Sequence, residues 1–244
     1  MTYCVGLKLK AGLVLLSDTR TNAGVDNIAR FRKMFLFEEP GERVVALMAA
    51  GNLGVTQGVI TNLTAAVKRS KLDPEIESIM TCETLYRAAQ IVGEAMQDIQ
   101  KRDRAAIEAQ GSAADATLIM AGQRRGGELR LFLIYTAGNF IEAGEETPYL
   151  QIGEHKYGKP ILDRVIRPET TVDEAIKAAL VSMDSTLRSN LSVGMPLDLA
   201  VIPADEYHAR TVRIESDHKE FRQISDSWAA SLRTAFHALP SVKV

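Results

Sequence analysis

Apolar residues alternate or recur at helical spacing along most of the chain, and the two periods mark out its elements. Tyr3, Val5, Leu7 and Leu9 fall on one face of a short run, with Thr2, Cys4, Gly6 and Lys8 on the other. Leu13, Val14, Leu15 and Leu16 are continuously apolar, as in a strand covered on both faces. Lys10, Ala11 and Gly12 lie between the two runs, so the pattern predicts a β-hairpin. A turn or short strand is predicted at 21–24, then strands at 34–37 and 43–50 around the Pro40-Gly41 turn. Leu53, Thr56, Ile60, Leu63 and Val67 make a helical stripe that Asp73-Pro74 ends. A second helix is predicted from near Thr81, striped by Leu85, Ala88, Val92, Met96 and Ile99, with a polar, solvated extension over 100–109.

The second half repeats the alternation of strands and helices. Strands are predicted at 116–121 and 129–135, and shorter ones near 139–142 and 149–152 are read as completing a second sheet. A short helix is expected at 157–166. Thr171-Val172-Asp173-Glu174 is a capping box, opening a helix with Val172, Ile176, Ala179, Met183 and Leu187 on one face. Strands follow at 197–202 and 210–214. Phe221, Ile224, Trp228, Leu232 and Ala235 then stripe a final helix within 219–239, which either packs on its own domain or serves as a subunit contact. This order fits an α+β fold in which two sheets carry helices on both outer faces, a four-layer αββα sandwich, among other α+β arrangements. No linker or repeat divides the chain, so 1–244 reads as a single domain with a C-terminal helical extension from about 219.

Composition narrows the class. Apolar residues make up 46% and charged residues 25%, as in ordinary globular proteins, and the net charge of −2 is spread without a basic patch, which argues against nucleic acid. No apolar run is long enough to span a membrane, and the N-terminus lacks the pattern of a secretory signal. Cys4 and Cys82 are too few for a disulfide framework; they fit a reducing cytoplasm as buried thiols, Cys4 as a small core residue. His155, His208, His218 and His237 are scattered, so no metal set is expected, and neither a P-loop nor a GxGxxG implies a nucleotide cofactor.

The candidate chemistry lies at the start. Folding the first hairpin at Lys10-Ala11 brings Asp18 opposite Thr2, within one residue of register. Methionine is commonly trimmed before a small second residue. Trimming would give Thr2 a free α-amine, with an ordinary pKa of about 7.7–8.0, able to act as base for its own hydroxyl. A nearby cation favours the neutral amine, and Lys33, oriented by Asp18, is the candidate.

With Thr2, Ser17-Asp18-Thr19-Arg20, Gly24, Lys33 and Ala49-Ala50-Gly51, the sequence resembles the proteasome β-subunit and HslV group of N-terminal-nucleophile hydrolases, most closely its bacterial Anbu branch. The resemblance covers most of the chain and is most specific in the first fifty-odd residues. It implies the αββα fold, Thr2, Asp18 and Lys33 as the catalytic trio, the Gly51 N–H as oxyanion donor, and Ala49 and Leu53 lining the substrate pocket. The small Ala49 then suggests a roomy apolar pocket. The family's accessory Ser-Asp-Ser set is altered: Glu154 stands at the first serine's place in Gly153-Glu154-His155. In Arg188-Ser189-Asn190-Leu191-Ser192, Ser189 replaces the aspartate and Ser192 keeps the last serine. By resemblance the protein is a homo-oligomer, a ring or an open helical assembly, acting on peptide or other amide bonds. Whether an ATPase serves it is open. A small-molecule amidase and a non-catalytic structural subunit are the other readings.

Overall fold

The computed structural model describes residues 2–22 and 28–242. Met1, expected to be removed, and Gly24 lie outside the described residues. In chain order the strands are β1 (Tyr3–Leu9), β2 (Gly12–Asp18), β3 (Arg20–Asn22), β4 (Ile28–Arg30), β5 (Met34–Glu39) and β6 (Arg43–Gly51). Helices α1 (Leu53–Ser70) and α2 (Leu85–Ala109) follow, then β7 (Ala116–Arg124), β8 (Arg130–Ile134), β9 (Phe140–Glu142) and β10 (Tyr149–Gly153). The chain ends with α3 (Lys159–Val165), α4 (Val172–Ser189), β11 (Leu197–Pro203), β12 (Arg210–Ile214) and α5 (Lys219–His237).

Two five-stranded antiparallel sheets form the centre, in the orders β10-β1-β2-β11-β12 and β5-β6-β7-β8-β9. Period-two alternation explains how a strand serves two interfaces. In β6, Val45, Leu47 and Ala49 join Val55, Val59 and Val92 under α1 and α2. Val44, Ala46 and Met48 point the other way, meeting Leu13, Leu15 and Cys4 between the sheets. Tyr3, Val5, Leu7 and Leu16 pack outward on Ala175, Ala179 and Met183 of α4. The architecture is therefore the four-layer αββα sandwich.

Two expectations are corrected. The strand at Tyr149–Gly153 does not complete the second sheet; it pairs antiparallel with β1 at the edge of the first, Cys4 opposite Ile152. Five residues of alternation specify a strand but not its partner, and this partner lies nearly 150 residues away. Helix α2 starts at Leu85 rather than near Thr81, because Ser78 and Thr81 close a turn of their own, with Ser78 N–H donating to Thr81 Oγ1 at 2.9 Å. Thr84 is the cap, its hydroxyl accepting from the Arg87 N–H at 3.0 Å. The Thr171–Glu174 capping box forms as expected.

The last helix divides along its length. Phe221 is buried and Ile224 packs with it against the outer core. Leu232, Phe236 and Leu239 are 50%, 70% and 65% exposed. No helix among the described residues is long and apolar enough to cross a membrane.

Candidate functional site

The β1–β2 hairpin turns at Lys10-Ala11, with Leu9 opposite Gly12 and Cys4 opposite Ser17. That register carries Asp18, the last residue of β2, to the level of Tyr3, one residue from Thr2 and within the predicted slip. The Tyr3 N–H donates to Asp18 Oδ1 at 3.1 Å, and the Gly194 N–H to Oδ2 at 3.2 Å. Lys33, just before β5, reaches inward; its Nζ lies 2.7 Å from Asp18 Oδ1 and donates to the Arg20 carbonyl at 2.5 Å. Asp18 is fully buried and Lys33 only 5% exposed. Burial pushes the Asp18 carboxyl above the usual carboxylate range, while Lys33 and the two backbone donors pull it back.

Thr2 is held from the other side. Its carbonyl accepts from the Glu154 N–H at 2.7 Å, at the end of β10. Gly153 makes this approach possible: its φ is +79°, and a Cβ there would sit 1.9 Å from the Thr2 carbonyl oxygen. The Glu154 side chain turns to Asn190, whose Nδ2 donates to Oε2 at 3.0 Å. Asn190 Oδ1 accepts from the Ser192 N–H at 2.9 Å. Ser189 lies one residue earlier, exposed at the end of α4. The side chain that reaches Glu154 is thus Asn190, which lies between the two motif positions Ser189 and Ser192.

Gly51 ends β6 where α1 begins. Its φ is +106°, and an added Cβ would lie 2.3 Å from the Asp115 carbonyl oxygen. Asn52 caps α1 by accepting from the Val55 N–H at 3.2 Å. Thr2, Lys33, Ala49, Gly51 and Leu53 line one cavity of about 270 Å³. Phe35 adds to its apolar wall, but Arg32 and Gln57 also line it, so the pocket is mixed rather than purely apolar. The apolar expectation weighed only Ala49 and Leu53; Arg32 comes from the loop that delivers Lys33 and has no periodicity to reveal which way it turns.

Chemically, the arrangement sets a hydroxyl-bearing residue and a buried, carboxylate-held ammonium at one cavity, with a helix N-terminus at its rim. A family model described as the proteasome subunit matches residues 2–202, and the chain belongs to the proteasome-subunit family. Over its full length it is similar to Anbu proteins. Anbu (ancestral beta-subunit) from Yersinia bercovieri is 46% identical, with 99% of this chain and 100% of that one covered and a TM-score of 0.91. An Anbu (Gly-1) mutant from Hyphomicrobium sp. strain MC1 is 45% identical over 100% of both chains, TM-score 0.91. The Anbu complex from Pseudomonas aeruginosa, solved as a helical assembly, is 42% identical over 99% of this chain and 98% of that one, TM-score 0.92. A search of the curated proteins gives no match.

Proposed function

We propose that the chain is an N-terminal threonine hydrolase cleaving peptide or other amide bonds, and that it works as a self-assembled oligomer in a reducing cytoplasm. The carrying observation is the buried Asp18–Lys33 pair beside the cavity that Thr2 and Gly51 share. Loss of Met1 gives Thr2 a free amine. The Lys33 ammonium disfavours a second positive charge nearby, so the amine stays neutral and accepts the hydroxyl proton. The Thr2 oxygen then attacks the amide carbon, and the oxyanion is met by the Gly51 N–H near the positive end of α1. Collapse breaks the C–N bond, the α-ammonium returns its proton to the leaving amine, and water hydrolyses the resulting ester through the same base. Glu154, engaged by Asn190, is a positioning residue for the Thr2 backbone in this scheme, with Ser192 behind it. Ser189 has no part in it.

The test is intact mass after incubation with a peptide epoxyketone. The expected result is a species lacking Met1 that gains one adduct, and a Thr2→Ala chain that gains none. Retained Met1, or a trimmed chain without adduct, would leave the structural-subunit reading in its place.

Self-assembly is supported by the apolar end of α5 and by the helical assembly of the Pseudomonas aeruginosa relative. Leu232, Phe236 and Leu239 form an apolar patch of the kind that marks a protein contact, and the occupant proposed is a second copy of this chain. Phe236→Glu with Leu232→Glu is expected to shift the sedimentation profile to smaller species while Thr2 labelling persists in the dissociated chain. An unchanged profile would remove α5 from the contact.

A further inference from the structure

Among the described residues, the side chains lining the cavity beside Thr2 include two cations, Arg32 and Lys33, and no carboxylate. Lys33 is matched by Asp18 at 2.7 Å. Arg32 is exposed and, among the described residues, forms no ion pair or side-chain hydrogen bond. It also borders a neighbouring cavity of about 240 Å³ with Asp198. That carboxylate feels the charge of Arg32 but is held by Arg213 at 3.3 Å. Arg213 is also paired with Glu215 at 3.2 Å, so Asp198 is shared between two guanidiniums, and among the described residues Arg32 is the cation of the Thr2 cavity that has no carboxylate within ion-pair distance. Helix α1 adds to the positive charge there, because its first turn contains no acidic residue, whereas α4 has Asp173 and Glu174 in the same place. Ala49, Leu53 and Phe35 supply apolar wall for the methylenes of an entering side chain.

We infer that this cavity selects a substrate residue bearing a side-chain carboxylate, glutamate or aspartate, with Arg32 as the specificity-determining residue. A guanidinium suits a carboxylate in geometry as well as charge, since its N–H groups match the two oxygens. The assignment of the pocket to a substrate residue rests on the Thr2 reading; recognition itself needs no chemistry, so the two are separable.

The experiment uses the full-length Thr2→Ala chain, which binds without reacting. Capped tetrapeptides Ac-Ala-Ala-X-Ala-NH₂, with X as Glu, Gln, Leu or Lys, are titrated by calorimetry, so that X is the only charge in the series. Glu is expected to bind about 10-fold tighter than its uncharged isostere Gln, as one charge-assisted hydrogen bond supplies. Lys should bind weakest, and added salt should shrink the advantage of Glu. Arg32→Gln in the same background should erase the Glu–Gln difference, and Arg32→Glu should turn the order toward Lys. Tightest binding by Leu, equal binding across the series, no binding at all, or a Glu preference that survives Arg32→Gln would each overturn the inference. Failure of the hydrolase reading looks different: the native chain takes no epoxyketone adduct while the peptide preference stands.

Discussion

Replacing Asp18 with alanine is expected to cost about 3–5 kcal/mol of folding stability and to slow Thr2 labelling by about 10²–10⁴-fold. The variant leaves the Lys33 ammonium buried without its carboxylate, with the Arg20 carbonyl still accepting from it. Desolvation of an unpaired charge outweighs the lost hydrogen bonds, and it sets the stability loss. The double variant Asp18→Leu with Lys33→Met removes both charges and should recover most of that stability, because a buried pair gains little net over apolar residues of similar volume. Its labelling should stay at least as slow as that of the single variant. Denaturant midpoints for the three chains beside their labelling rates separate the two roles. A double variant that labels at the native rate would show that the pair is structural. The pH dependence follows from the raised Asp18 pKa. With the folded value above the unfolded one, the folded state binds more protons in that window, so this group lowers stability as pH rises from the ordinary carboxylate range through its raised value. Labelling moves the other way, falling on acidification as Asp18 is neutralised and lets go of Lys33.

Gly153→Ala is expected to destabilise the protein by at least about 2 kcal/mol and to slow Thr2 labelling more than about 10-fold. Two costs combine. The position sits at φ +79°, where a side chain is strained, and the new Cβ would lie 1.9 Å from the Thr2 carbonyl oxygen. That atom is rigid backbone, so relief requires β10 and the start of β1 to part, and the Glu154 N–H to Thr2 carbonyl bond goes with it. Labelling measured below the melting transition of the variant distinguishes loss of position from loss of fold. An alanine chain with native stability and a native rate would mean that the Gly153 turn does not fix Thr2.

How much was legible in the sequence depended on how local the cause was. The first hairpin could be read because its turn and both strands lie within eighteen residues; one constant register runs from Leu9–Gly12 to Cys4–Ser17 and puts Asp18 level with Tyr3, within the one residue allowed about Thr2. The capping box at Thr171 was visible for the same reason. The partner of β10 was not visible, since strand pairing across such a separation leaves no mark in five residues. Arg32 stood in plain sight within Arg30-Phe31-Arg32-Lys33, but a short unpatterned segment does not show which of its cations turns inward. Asn190 was not visible because the motif draws attention to Ser189, while the side chain that reaches Glu154 is the next one.

The pairing of β10 with β1 also bears on when the site comes into being. Thr2 is synthesised long before its partners, so its carbonyl waits for Glu154, and Asp18 waits for Gly194. Strand β2 likewise stays unflanked on one side until β11 has been made. Contacts of such sequence separation close late, after the intervening chain has been ordered. A nascent chain therefore exposes a threonine with no assembled surroundings through most of its synthesis. On the proposed hydrolase reading, the order of translation delays activity until β11 has left the ribosome and docked.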